Sequence, residues 1–555
     1  MNTRRRSTRT KTGTTQTKTE KSKAAEHKTE DTNVWWGVVN GPMKSYLTVI
    51  GDGLDVPKNV YEDLKLTIDD IEFLSDETRQ VYLPETKDPV TINIVPSNCS
   101  SADLPQFSSL RLSSYISNHT GMIINVGFSI WGLQWCPSLP TRSPQYLAVG
   151  GYKSTTDEHR EIGIKQTTNM QNVIQIWRID CRDEKEINGE ERDLPYLDMV
   201  ICHDYGCVYD LKWCPYGACE LVDNDIEEND GDNTKTHIKR LGILAGCFGD
   251  GTVRFFVIPS PDDIRRRLGK NDAETLYIKF KQEVIKLSLP GILCWTLEWG
   301  GHEKVAVGCT NGYIATWNMY DIFSKRNQQQ SISNSNLLCP TRYVWSHDSS
   351  VRQVLWNSHF NPTHILSCGH DGKVQIFDER DPCMKYDLRH LRTVMMSVAW
   401  SNRYDGLMFP DQEYGVRFVR TDDFAKTMRV LQHRQCIWSI GVSLFHPFVA
   451  SCGTDGLVTM TNIFPLKSNW KKPKEVILYR LSYNSESRSF TIWDNIIPRN
   501  ETKLGRNESL YNYLFPPEIS IQKLQWNPNI TTGTWIASGG AAGLLRVECA
   551  DKNEE

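Results

Sequence analysis

The sequence has no long apolar run: no stretch approaches the roughly 18 consecutive apolar residues that a membrane-spanning helix needs. Behind Met1 comes a polar stretch with Arg4, Arg5 and Arg6 in succession, so no secretory signal is read. A Walker loop, a dinucleotide fingerprint, a kinase motif set and an HExxH helix are also missing. The expectation is therefore a protein that is not an enzyme and takes no cofactor. Without a secretory signal, the 16 Cys are expected to be free thiols in a reducing compartment. Sequons such as Asn118-His119-Thr120 are expected to stay unglycosylated. Together these absences predict a soluble intracellular protein with no membrane partner.

What is present is core material in quantity. Of 555 residues, 39% are hydrophobic and 10% aromatic, with 17 Trp and 37 Gly, so wholesale disorder is excluded. Charge is split. Residues 1–30 hold nine Lys/Arg (among them Arg4, Arg5, Arg6, Arg9, Lys11 and Lys18) against three Glu, a net of +6. The other 525 residues carry 54 basic and 64 acidic side chains, a net of −10. A chain that gripped nucleic acid over its whole surface would be basic throughout. This one reads as a basic tail, rich in Thr and unable to bury a core, on an acidic body. The tail arginines and lysines are the candidate DNA contacts.

Internal repeats set the fold class. One half-unit is an apolar-alternating strand ending in Trp: Ile130–Trp135, Val208–Trp213, Cys294–Trp299, Val351–Trp356, Met395–Trp400 and Ile521–Trp526, with Ile437–Val442 degenerate. The other half carries an Asp-Gly or Asn-Gly turn between two strands, clearest at Leu244–Phe256, Val305–Trp317, Ile365–Phe377 and Val449–Val458. Weaker copies lie at Tyr146–Gly151 with Ile174–Trp177, and at Ile536–Gly543. Such dipeptides between alternating runs are tight hairpin turns that need positive φ. Two hairpins make a four-stranded blade, and the units resemble WD repeats. An all-β, seven-bladed WD-repeat β-propeller over residues 115–549 is predicted. Long polar insertions are expected at 153–172, 182–200, 220–238, 259–289, 320–342 and 463–519. Residues 1–30 are expected to be a disordered tail, and 31–114 an extension packing on or closing the propeller.

Several clusters invite a chemical reading. Cys202, Cys207, Cys214 and Cys219 lie near His203, but their spacing is not that of a zinc site, and Cys214 shares the repeat position of Cys136; no metal is expected. Cys247, Cys309, Cys368 and Cys452 recur in equivalent strands and are expected to pack as small residues. His347, Ser367 and Asp371 have the residue types of a hydrolase triad. The pattern recurs at His433, Ser451 and Asp455, and in part at His203 and Asp250, as a structural network would and a single active site would not. Acidic residues within 220–232 lack the glycine and terminal Glu of a calcium loop. Arg265, Arg266 and Arg267 with Lys270 form a basic cluster, either solubilising charge or a contact for phosphate or an acidic partner. Lys467, Lys471, Lys472 and Lys474 form a second one. Trp35-Trp36 reads as a closing strand or a partner anchor.

Beyond generic repeats, Trp131–Pro137, Tyr146–Gly150 and Gln175–Trp177, then His203–Gly217, Arg240–Ala245 and Asp250–Val253, resemble in this order the WD-repeat subunit of RNA polymerase III general transcription factor IIIC. The likeness covers about residues 120–380. It implies a nuclear, non-catalytic subunit of the box-B-binding module. Such a subunit pairs with a second WD-repeat subunit, holds the large DNA-binding subunit and aids recognition of internal promoters of transfer-RNA genes. Relatives with an AT-hook carry an Arg-Gly-Arg-Pro core; Arg4-Arg5-Arg6 lacks its Gly and Pro. The alternative is a chromatin-associated propeller that binds histone tails or other peptides in its central channel.

Overall fold

The Asp-Gly and Asn-Gly turns fix the local geometry. Gly251, Gly312, Gly372 and Gly456 take φ of 84°, 87°, 76° and 71°, the left-handed region that glycine enters at no steric cost. A Cβ at Gly312 would sit 2.0 Å from the His347 carbonyl oxygen, and one at Gly372 1.9 Å from that of Leu391. Each of these turns joins two buried strands of one sheet.

The computed structural model describes residues 60–551 apart from 96–100, 117–118, 138, 140–143, 154–163, 183–191, 222–236, 271–273, 282–284, 329–337, 359–361, 402–405, 465, 467–472 and 495–514. The fold is all-β in a β-propeller arrangement. Among the described residues, strands form one two-stranded ribbon and seven sheets of four to seven strands. Seven strands that follow one another along the chain each begin a sheet: Ile130–Trp135, Val208–Trp213, Cys294–Gly300, Val351–Trp356, Ala399–Ser401, Ile437–Val442 and Ile521–Trp526. They are the inner strands. Cys247, Cys309, Cys368 and Cys452 are fully buried one strand further out.

The recurring Trp has a specific task. Its indole N–H donates to a carbonyl of the neighbouring inner strand, one residue before the equivalent end position. Trp213 reaches Gln134 at 3.2 Å, Trp299 reaches Lys212 at 3.1 Å, and Trp356 reaches Glu298 at 3.3 Å. Trp135 bonds Gln525 and Trp526 bonds Gly441, each at 3.3 Å. Between the fourth and fifth sheets the link is instead Gln353, which accepts from Ser397 Oγ and Val398 N. Trp213→Phe removes a donor from a partly buried carbonyl, so a stability loss of about 1–2 kcal/mol is expected by urea denaturation. Trp400 makes no such bond among the described residues, and Trp400→Phe should cost clearly less. Equal losses would remove the hydrogen bond as the reason for the Trp.

The described residues between 60 and 125 are woven into the sheets. Leu66–Thr67 pairs with His237–Ile238, and Ile71–Phe73 with Leu276–Phe280 on the first sheet. Val90–Val95 lies parallel to Ser489–Asp494 and extends the sixth sheet. Gly121–Asn125 pairs antiparallel with Leu544–Cys549, so the seventh sheet is completed by chain from both ends of the repeat region. Buried Arg240 anchors the leading edge: its Nη1 donates to Tyr61 O and Leu64 O, and its Nε to Ala218 O at 2.7 Å.

Parts of the expected insertions are strands. Tyr196–His203, Ile285–Leu287, Arg342–Trp345 and Glu475–Asn484 are the fourth strands of the first, second, third and sixth sheets, and Pro261–Leu268 is a helix. The outermost strand of a sheet has one face in solvent, and its apolar pattern fades. In Arg342–Trp345 three of four residues are exposed.

Candidate functional site

The His, Ser and Asp residues come together in two sheets. His347 Nδ1 lies 3.0 Å from Asp371 Oδ1, and its Nε2 2.9 Å from Ser367 Oγ. His433 repeats this with Asp455 at 3.1 Å and Ser451 at 2.8 Å. Both serines are fully buried, so neither hydroxyl can reach a substrate in solution. The arrangement ties the turn before one inner strand to the sheet behind it. Burial works against the Asp371 carboxylate, but His347 and two backbone N–H groups outweigh it and hold its pKa down at about 2. Burial would likewise lower His433, yet the Asp455 charge and hydrogen bond prevail and raise it.

His203 departs from the expected pattern and makes no hydrogen bond to Asp250. In the second sheet the position of Ser367 is taken by Gly246, opposite Arg254. Arg254 captures Asp250 at 2.7 Å and covers the Tyr205 ring at 3.6 Å. Arg417, at the equivalent place in the fifth sheet, does the same to Asp411 at 2.8 Å. His203 is left accepting from Tyr205 N through Nδ1, and burial pushes its pKa down to about 3. Buried His446 is alike: its Nε2 donates to Gly533 O, its Nδ1 accepts from Phe448 N, and burial lowers it to about 3.

These two histidines give a pH prediction. A pKa depressed on folding stabilises the fold fully above the unfolded value of about 6.5, and the contribution is lost as pH falls from there toward 3. Each should take roughly 2 kcal/mol from the unfolding free energy by pH 5. His433 has the opposite sign: its contribution is fully present below about 6.5 and lost as pH rises through its folded value, so between pH 7 and 5 it grows and offsets only a small part of the acid loss. Denaturant midpoints measured from pH 7 to 5 should fall, and His446→Asn should flatten the slope. A flat profile in the parent protein would rule the mechanism out.

The candidate partner contacts are distributed differently from the sequence expectation. Arg4, Arg5, Arg6, Arg9, Lys11, Lys18, Trp35 and Trp36 lie outside the described residues, as does most of the acidic loop. Arg265 is not a surface contact. The helix Pro261–Leu268 turns it inward, where it is buried against Asp198 and the Glu274 carbonyl. Three successive arginines on a helix point about 100° apart, so one patch was not available. Arg266 is exposed and lies 3.4 Å from Asp263, Arg267 is partly covered on the same Asp, and Lys270 pairs with Glu274 at 2.8 Å. Cys202 and Cys214 are buried, which pushes each thiol up to about 12, and Cys219 is raised to about 11. Metal ligation needs the thiolate, which this burial opposes. Among the described residues no three His, Cys, Asp or Glu side chains converge as ligands, and no helix is long and apolar enough to cross a membrane.

Two features were missed in the sequence. One is a buried charge cluster. Arg546 Nη2 donates to Asp494 at 2.5 Å, to Glu548 at 2.6 Å and to His119 at 3.0 Å, with the Tyr479 ring 4.4 Å away. Burial opposes the Glu548 carboxylate, but Arg546 and His119 hold its pKa down at about 2. The other is a set of exposed apolar side chains on the outer strands of the third, fourth and fifth sheets. Trp345 and Met384 are 50% and 74% exposed; Lys385 covers Trp345, and Tyr386 stacks obliquely on Phe424 at 5.3 Å.

No family model matches the chain. It is 28% identical over 434 residues to the transcription factor tau subunit sfc6 of Schizosaccharomyces pombe, covering 77% of this chain and 65% of that protein. It is 24% identical over 494 residues to the human general transcription factor 3C polypeptide 2, covering 76% of this chain and 52% of the human one. Against the transcription factor tau 91 kDa subunit of Saccharomyces cerevisiae the identity is 22% over 522 residues, with 91% and 67% covered. The match thus spans less than two thirds of the first two relatives. These comparisons identify the chain as a homologue of subunits of transcription factor tau and general transcription factor 3C.

Proposed function

We propose that the chain is a non-catalytic scaffold subunit of a nuclear, multi-subunit RNA polymerase III factor of the transcription factor IIIC type, which binds internal promoters of transfer-RNA genes. Its partners in this reading are a second WD-repeat subunit and a large DNA-binding subunit, and it meets DNA at least indirectly. The observation that carries the proposal is the likeness over 77% and 76% of the chain to proteins named as transcription-factor subunits. The scaffold is a single seven-bladed ring over residues 115–549, each of the seven larger sheets being one blade, with 31–114 as the extension and 1–30 as the tail. The indole bonds between neighbouring inner strands support that count.

The test is affinity purification of the tagged chain from nuclear extract, followed by mass spectrometry and a gel shift. A stoichiometric multi-subunit assembly that retards transfer-RNA-gene DNA is expected. Recovery of the chain alone, or with histones only, would refute the proposal.

A further inference from the structure

Six inner strands share an irregularity. Their pairing with the next strand slips across the second residue: between Ile130 and Gly132, Val208 and Asp210, Cys294 and Thr296, Val351 and Gln353, Ile437 and Ser439, and Ile521 and Lys523. The residues left out of register are Trp131, Tyr209, Trp295, Arg352, Trp438 and Gln522. A bulge leaves its extra residue unpaired and re-aims the side chain. All six line one cavity, at the mouth of the channel that the inner strands surround.

The wall is largely aromatic. Trp438 meets Trp131 edge-on at 5.6 Å, and Trp131 meets Tyr152 at 5.6 Å. Tyr152 approaches Tyr209 at 6.3 Å, and Tyr209 stacks on Trp295 at 5.1 Å. The Arg352 guanidinium lies among these rings, 4.5 Å from Trp295, 5.9 Å from Trp131 and 6.0 Å from Trp438. In the layer beneath, charges cancel in pairs, Lys212 with Glu298 at 2.6 Å and Lys523 with Asp210 at 3.2 Å. Arg352 has no carboxylate within ion-pair distance among the described residues, and its Nε has no hydrogen-bond partner there. Burial pushes its pKa down to about 10, outweighing the opposing pull of nearby groups that include Asp210.

We propose that this mouth is a binding site for a peptide segment in which an Asp or Glu carboxylate stands beside a bulky apolar side chain, the carboxylate on Arg352 and the apolar group on the aromatic wall. A planar guanidinium presents paired donors that match a carboxylate, and the rings supply apolar surface that Met or an aromatic residue would cover. A basic tail is disfavoured, because the place a ligand cation would take over the rings is held by Arg352. A nucleic-acid strand is disfavoured too: one cation on a body of net −10 is a poor match for a run of phosphates.

Selection of a random short-peptide display library against the immobilised full chain tests this. Peptides enriched in Asp or Glu next to Phe, Trp, Leu or Met are expected, and a peptide so selected should quench or shift Trp emission on titration. Arg352→Gln should weaken that peptide by about tenfold or more. Arg352→Lys, which keeps the charge without the fork, should fall between. Lys385→Ala on the outer rim should leave affinity unchanged, and unaltered thermal unfolding certifies each variant. Enrichment of Lys/Arg peptides, failure of any peptide to enrich, full affinity in Arg352→Gln, or equal displacement by oligothymidylate would each overturn the proposal.

Discussion

Replacing Arg546 by Met should lower the unfolding free energy by about 3–5 kcal/mol, because two buried carboxylates then lose their shared cation. Asp494 is fully buried, and Glu548 is exposed by only 2–3%. His119, 427 positions away in the chain, is a further member of the cluster. The loss belongs to the unbalanced charge and only in small part to missing contacts. Adding Asp494→Asn and Glu548→Gln to Arg546→Met should therefore recover most of the deficit, in the way that replacing a whole buried ion cluster with neutral groups is often close to neutral. Chemical denaturation of the three single variants and the triple variant decides between these accounts. A triple variant less stable than Arg546→Met alone would show that the cluster acts through packing.

Deleting residues 1–30 from the assembled complex should change how DNA affinity responds to salt. In the proposed reading the +6 tail contacts phosphates without fixed geometry, and each neutralised phosphate releases counterion. Four to six contacts would steepen the log–log salt slope by roughly 4–5 units, so between 50 and 200 mM salt the intact tail accounts for a loss of roughly several hundred- to thousandfold. Specific and random duplex should be weakened alike by the deletion, since phosphates carry no direct base code. Phosphorylating tail threonines should act in the same direction by adding about −1.5 to −2 charge each. The competing role for Arg4 to Lys11 is nuclear import. An unchanged slope with import alone lost would assign the tail to that role.

How much the sequence reveals follows from burial. Inner and second strands have both faces covered, so their Trp, Val and Cys recur with the repeat and can be aligned by eye; Cys247, Cys309, Cys368 and Cys452 are examples. The tight turns are legible because only glycine fits beside a carbonyl at 2 Å. Rim strands are illegible because one face meets water, which is why Arg342–Trp345 escapes the repeat pattern. The His–Ser–Asp networks of the fourth and sixth sheets can be read from repeat position. The one at His203 cannot, since its outcome depends on Gly246 and Arg254 in a different repeat half. Arg265 misled because adjacency in sequence is not adjacency on a helix. Arg240 and Arg546 leave a faint mark: Arg240 opens an otherwise apolar strand, and Arg546 sits with Glu548 in a short apolar one. Arg352 leaves none, since bulge positions emerge only from pairing.

The pairing of Gly121–Asn125 with Leu544–Cys549 also sets a timetable for biosynthesis. Its partners are separated by as many as 427 residues, and a ribosome adding about 5–20 residues per second needs roughly 20–85 s to span that distance. Throughout that interval the early strand, buried along its whole length in the finished molecule, waits with its hydrogen-bonding edge uncovered. An unpaired apolar edge is a template for wrong partners. The nascent chain is thus most vulnerable to aggregation late in translation, and any truncation that removes Leu544–Cys549 leaves that edge open for good.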